Sequence, residues 1–444
     1  MKSLPVRFSA DYKKKGVFLM NIKNIKNSIN SSESDKLFAE LYGNQTDKQR
    51  KRYCEAVDEF KKIFPVYDDV SIYSAPGRTE IGGNHTDHQN GQVLAAAVNL
   101  DIIAVAAFHD EPVIRIKSKG FETDIVDISD LSVKDDEKGK SSALIRGIVS
   151  RFEQLGYKTG GFDAYTTSDV LKGSGLSSSA AFEVLIGTIL NEHFNGGRIS
   201  PVEIAVISQY SENEYFGKKS GLMDQMVSSA GGFAYIDFRN PQNPEIKKID
   251  FDFQKTGCTL CISDTKGNHS DLTDDYVAVP YEMKEVAQFF GKSVLRDVDE
   301  AEFYRCIPQI RKNISDRSVL RSAHFFAETK RAESEAKALE NNDFTEFLRL
   351  VNESGKSSYQ LLQNAYSCKN PDGQGIPVGI MISEKILDGK GAVRIHGGGF
   401  AGTIQAFVPD SLADAYSCEI NRIFGENSCH IMHIRPYGGL CIII

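Results

Sequence analysis

The chain has 444 residues, 41% hydrophobic and 25% charged, the composition of a globular protein long enough for more than one domain. Its formal net charge of −8 argues against non-specific binding to nucleic acid, which depends on a surplus of Lys and Arg. No apolar run approaches the ~20 residues of a membrane span, the N-terminal "MKSLPVRFSADYKKKG" has no secretory pattern, and eight scattered cysteines suit a cytoplasmic protein with reduced thiols.

Residues 1–70 are charged, and "SDKLFAELYG" and "DKQRKRYCEAVDEFKKIF" place apolar residues at helical spacing. They are read as a helical N-terminal extension packed on the lobe that follows. From "VSIYSAPGR" the texture changes, and "VLAAAVNLDIIAVAAF" and "VIRIKS" read as strands. "SALIRGIVSRFEQLG" reads as a helix ending at a glycine, and "FDAYTTSDV" as a strand. A Gly/Ser turn leads into the apolar helix "AAFEVLIGTILNEHF". "SPVEIAVISQYSENEYFG" is a further helix, with Ser200 as N-cap and Pro201 at its first position. "GFAYIDFRN" closes a first lobe, 71–245. A second lobe, 246–444, alternates strands with helices and ends in "AVRIHGGGFAGTIQAFV" and "CHIMHIRP". This order predicts an α+β fold in two lobes. Cys258 and Cys261 have CxxC spacing, but they lie in an apolar strand, "GCTLCIS", and no second pair completes a zinc site.

Three glycine-centred loops carry candidate chemistry. In "LKGSGLSSSAAFE", Gly173, Ser174, Gly175, Leu176, Ser177, Ser178 and Ser179 run into a helix. Free N–H groups at such a helix start suit a phosphate, and a hydroxyl there can ligate Mg²⁺, although a plain loop has the same composition. In "IHGGGFAGT", consecutive glycines between strands suit either close backbone approach or a simple hairpin turn. "GRTEIGGNHTDHQNG" offers Arg78 to an anion and Asn84, His85 and Asp87 to a polyol; His85 and His88 are also possible metal ligands, and a solvated loop is the plain alternative. A fourth segment, "GLMDQM", sets Asp224 among Leu222, Met223 and Met226, which suits a general base held at the edge of a core or a structural cap.

Together these segments resemble the GHMP small-molecule kinases, and among them the galactokinase family, whose three motifs occur here in family order. The resemblance runs from about residue 70 to the C-terminus. It implies a two-lobed fold with the active site in the cleft, and ATP-dependent phosphorylation of the anomeric hydroxyl of D-galactose. Asp224 matches the aspartate that accepts the hydroxyl proton, and Arg78 the arginine beside it. Ser179 and Glu212 match the Mg²⁺-binding pair. Gly173 to Ser179 match the phosphate cradle of ATP. Asn84, His85, Asp87, Gly221 and Tyr276 fall on sugar-contact positions. The implied partners are a sugar and ATP, with neither nucleic acid nor membrane, and a monomer is compatible with the sequence. Asn84 departs from the family, which has glutamate there, and His88 stands in place of a tyrosine. Asparagine removes a charge that would repel a sugar carboxylate. That leaves room for a kinase of a related sugar, such as galacturonate or N-acetylgalactosamine, or for a sensor without catalysis.

Overall fold

The computed structural model describes residues 19–170, 176–218, 220–241, 244–267 and 272–442. A short strand, β1 (Met20–Asn21), precedes three helices, α1 (Ile22–Ile29), α2 (Asp35–Tyr42) and α3 (Thr46–Ile63). Their apolar faces bury Ile25, Phe38, Tyr53 and Phe60 against Val70, Ile72, Ile103 and Val105 of the sheet beneath. The helices thus form one side of a shared core rather than a separate unit.

The sheet is built on a long hairpin, β2 (Asp69–Gly82) and β3 (Gln92–His109). The run of alanine, valine and isoleucine in β3 is buried along nearly its whole length, with helices on both sides. Next come β4 (Val113–Ser118), β5 (Thr123–Asp127), α4 (Ser141–Gln154), β6 (Gly161–Ser168), α5 (Ser178–Asn195), α6 (Pro201–Ser211), α7 (Met223–Ala230), β7 (Phe233–Asp237) and β8 (Glu245–Ile249). The sheet order is β1-β2-β3-β6-β4-β5, with β7 on β3 and β8 on β7; its pairs are antiparallel except β4 with β6. Ser200 caps α6 through a reciprocal pair with Glu203, at 3.1 and 3.2 Å, and Pro201 opens the helix. At its far end α6 widens into a π turn over Glu212–Phe216.

The second sheet is antiparallel, in the order β10-β11-β9-β12. Its strands are β9 (Cys258–Asp264), β10 (Ala392–His396), β11 (Thr403–Pro409) and β12 (Cys429–Met432). Between β9 and β10 lie α8 (Thr273–Phe289), α9 (Glu300–Asn313), α10 (Asp316–Glu340), α11 (Phe344–Ser357) and α12 (Gly375–Leu387); α13 (Ala413–Phe424) follows β11. The last strand, β13 (Leu440–Ile442), returns to the first sheet and pairs with β2. The architecture is α+β with two sheets. The long helix α10 packs on β3 as well as on α8 and α11, so it bridges the two halves.

Candidate active site

The site begins with two irregularities in the β2–β3 pairing, one between Pro76 and Arg78 and one between Glu80 and Gly82. Such slips re-aim side chains, and here they bracket Arg78, Thr79 and Glu80. At Gly77 the backbone passes so close to the Leu176 carbonyl that a Cβ would lie 2.9 Å from its oxygen, and the Arg78 N–H donates to that carbonyl at 3.1 Å. Leu176, just before α5, is therefore tied directly to the strand that carries Arg78.

Arg78 donates from Nε to Asp224 Oδ1 at 2.7 Å, with a second guanidinium nitrogen 2.6 Å from the same oxygen. Asp224 lies in the first turn of α7, where the helix dipole favours negative charge. Leu222, Met223 and Met226 anchor that turn in an apolar cluster, and Ser228 Oγ donates to the Pro76 carbonyl at 2.6 Å. The helix is thus held against β2 while the Asp224 side chain remains 26% exposed. Gly221, just before α7, faces Asp87; a Cβ there would lie 3.2 Å from Asp87 Oδ2.

Glu212, at the start of the π turn, is turned inward and 1% exposed. Its carboxylate accepts from Ser179 Oγ at 3.3 Å, Lys218 Nζ at 2.9 Å and Gln225 Nε2 at 2.9 Å, and from Ser220. Gln225 also donates to Glu183 at 3.0 Å. Burial, and then the charge of Glu212, pushes the Glu183 carboxyl well above the usual range. Ser179 and Glu212 offer adjacent hard oxygens of the kind Mg²⁺ selects, at the N-terminus of α5. Their geometry fits that ion, with Lys218 holding the charge of Glu212 in its absence. Ser177 adopts a left-handed φ of 54° immediately before α5. Gly173, Ser174 and Gly175 lie outside the described residues.

The loop that carries the expected sugar residues follows β2. His85 has φ 58°, is half-buried, and donates from Nε2 to the Gly398 carbonyl at 3.0 Å. Burial, and then the neighbouring His88, lowers its pKa to about 4, so the ring is neutral at pH 7. Tyr276, on α8, donates to the Gly399 carbonyl at 3.0 Å, and a Cβ at Gly398 would collide with its ring. The "HGGGF" glycines thus allow close approach to two of the expected sugar residues. Among the described residues no group of three or more His, Cys, Asp or Glu side chains is arranged to hold a metal ion, so the alternative of His85 and His88 as ligands has no support.

Asn84 sits differently from its place in the motif. It is 1% exposed, and its amide is used within the protein. Nδ2 donates to Glu80 Oε1 at 2.8 Å and to the Gly397 carbonyl at 2.7 Å, while Oδ1 accepts from Asn364 at 2.9 Å. Sequence reasoning did not single out Glu80, Asn364, Arg394, His324 or Glu328. Arg394 pairs with Glu80 at 3.0 Å, His324 donates to the Asn84 carbonyl at 3.0 Å, and Glu328 accepts from the Gly83 N–H at 3.1 Å. The only local signal is charge inside segments that otherwise read as core.

The chain matches the model of the GHMP kinases N terminal domain over residues 143–232 and that of the galactokinase galactose-binding signature over residues 58–108. The first span holds Glu212 and Asp224, and the second holds Arg78, Asn84, His85 and Asp87. Galactokinase of Glaesserella parasuis serovar 5 (strain SH0165) is 29% identical over 371 residues, covering 83% of this chain and 92% of that protein. The crystal structure of Lactococcus lactis galactokinase complexed with galactose has a TM-score of 0.73 at 21% identity, over 86% of this chain and 97% of that one. Methanococcus jannaschii mevalonate kinase shares the fold more distantly, with a TM-score of 0.59 at 15% identity over 82% and 98% of the two chains. Both family models match segments that meet at the Arg78–Asp224 pair, and the chain is similar to a galactokinase in sequence and shares the fold of one.

Proposed function

We propose that the protein transfers the γ-phosphoryl group of ATP to the anomeric hydroxyl of D-galactose, giving galactose 1-phosphate and ADP. The observation that carries this reading is the Arg78–Asp224 pair, in contact at 2.6 Å between the sugar loop and the Gly/Ser turn. Phosphoryl transfer needs little covalent help from a protein; it needs the hydroxyl oriented and the charge on the transferred group stabilised. Asp224 is the group that orients the hydroxyl and takes its proton as the new O–P bond forms and the bond from the γ-phosphorus to the ADP oxygen breaks. Arg78 holds Asp224 in place and supplies positive charge beside the transferred group. His85, neutral and with φ 58°, lines the sugar side with Asp87, Gly221 and Tyr276. The amides at the start of α5, from Leu176 to Ser179, face the phosphates. Ser179 and Glu212 would hold Mg²⁺, which when bound offsets phosphate charge.

Galacturonate is the less favoured substrate. Its case rests on the loss of a negative charge at position 84, and the Glu80 carboxyl group, 2.8 Å from the Asn84 amide, keeps an acid beside that position.

The test is ADP release with Mg·ATP on galactose and on galacturonate. Turnover on galactose is expected, reduced about 10³-fold or more by Asp224→Asn with the melting temperature little changed. Turnover on galacturonate alone would overturn the choice of sugar, and ATP binding without turnover on any sugar would favour a sensor.

A further inference from the structure

Position 84 is surrounded by acceptors. Glu80 Oε1 lies 2.8 Å from Asn84 Nδ2, and the Gly397 carbonyl lies 2.7 Å from the same nitrogen. Two acceptors converging on one group require a donor with two hydrogens, which a side-chain amide supplies and a carboxylate lacks. On the other side Asn84 Oδ1 accepts from Asn364, whose nitrogen also donates to the Gly398 carbonyl at 3.2 Å. Glu80 in turn pairs with Arg394 of β10 at 3.0 Å. A residue that is 1% exposed and bonded on three sides has no face to offer a sugar.

We propose that Asn84 is a positioning residue rather than a sugar ligand: paired with Glu80, it locks the sugar loop of the first lobe onto the glycine loop of the second. The role of position 84 is thus set by its neighbour at 80. With a carboxylate at 80, position 84 must be an amide. A carboxylate at both would set oxygen against oxygen across the 2.8 Å contact with no donor between them, and like charges buried in contact are strongly unfavourable. The lock holds Gly397 and Gly398 over the loop, and the Gly398 carbonyl is the acceptor that orients His85 at 3.0 Å. Disturbing the pair therefore moves His85 without removing a sugar contact.

This inference rests on the galactose reading for its kinetic test, and a thermal test keeps it separate. The variants are Asn84→Asp, Glu80→Gln and the double variant, with Asn84→Ala as a neutral truncation. Each is assayed on D-galactose and on 6-deoxy-D-galactose, because the 6-position is where a glutamate at 84 would be expected to reach. Asn84→Asp is expected to lower kcat/KM by roughly 30-fold or more on both sugars alike, with the ratio between them kept within about twofold. The double variant regains about tenfold of that loss, because an amide at position 80 donates where the Glu80 carboxylate repels; the Gly397 carbonyl still faces the acid, so recovery is partial. The same rescue is expected in melting temperature without substrate. If Asn84→Asp fails to fold while the double variant folds, that is the rescue in its extreme form. The proposal is overturned if Asn84→Asp or Asn84→Ala changes the ratio between the two sugars about tenfold, which would place the side chain on the substrate. It is also overturned if the double variant is no better than Asn84→Asp in melting temperature. If wild type turns over neither sugar, the galactose reading fails and the thermal cycle alone judges the pair.

Discussion

Two ion pairs grow from three consecutive residues of β2. Arg78 meets Asp224 at 2.6 Å, and Glu80 meets Arg394 at 3.0 Å. In contact distance they are alike, but their surroundings differ. Arg78 and Asp224 keep 11% and 26% of their side chains exposed, whereas Arg394 is wholly buried and Glu80 keeps 10%. The first pair keeps an edge open to solvent on the Asp224 side. Around the second, Asn84, the Ile81 carbonyl and β10 close every side. An ion pair with an open edge can turn its charge toward an incoming substrate. A sealed pair has already lost its water, and its charges serve only to hold backbone. One strand thus carries both the proposed reactive corner and the clamp proposed to align it.

Exchanging the two arginines in turn gives the sharpest contrast. Arg394→Met strands Glu80 without its counter-charge and is expected to destabilise the fold by about 3–5 kcal/mol, read as a lower urea midpoint. Arg78→Lys keeps the charge but cannot donate from two positions to Asp224 Oδ1. It is expected to lower kcat about 10²-fold while the urea midpoint stays almost fixed. If both substitutions shift the midpoint equally, the distinction between an open and a sealed pair is wrong.

A smaller effect is expected at the α5 terminus. Ser179→Ala removes one of the two oxygens next to each other at 3.3 Å. Mn²⁺ binding, followed by electron paramagnetic resonance with a non-hydrolysable ATP analogue, is expected to weaken roughly tenfold. Unchanged Mn²⁺ affinity would leave Glu212 without Ser179 as its metal partner.

The same contrast explains what the sequence made legible. The reactive corner is local chemistry. Arg78 lies in a glycine-rich stretch of sequence, Asp224 among Leu222, Met223 and Met226, and Ser179 at the start of an apolar helix, so motif and spacing single them out as candidates. Ser200 and Pro201 likewise mark the start of α6 by residue type alone. The clamp is different because its two halves, Glu80 with Asn84 and Asn364 with Arg394, are 280 or more residues apart. In "AVRIH", Arg394 alternates with apolar residues and reads as a solvent-facing strand position. The strand is buried on both faces, and the face carrying Arg394 lies on β2. Alternation reports two faces and cannot tell which of them a second element covers. The role proposed for Asn84 was illegible although Glu80 is only four residues away: the motif showed the exchange of an amide for an acid, and only the fold brings the Glu80 carboxylate and the Gly397 carbonyl onto that amide. The π turn that turns Glu212 inward also has no residue signature in "SENEYF".

The smallest expected effect concerns His85, which belongs to both regions: its ring is proposed to line the sugar side, and its Nε2–H bonds to the Gly398 carbonyl of the glycine loop. Its pKa falls from about 6.5 to about 4 on folding, chiefly through burial, with His88 and His324 opposing its charge and Asp87 favouring it. The unfolded chain therefore binds this proton more readily than the folded one. The stability it contributes is fully present above pH 6.5 and declines as the pH falls from 6.5 toward about 4. Between pH 7 and pH 5.5 the decline due to this one group is about 1 kcal/mol. Other buried histidines add to the slope in the wild type, so the comparison is with His85→Gln, whose urea midpoint is expected to fall less over the same interval. Parallel profiles for the two proteins would mean that His85 stays hydrated in solution, and that the glycine loop does not close on it until sugar is bound.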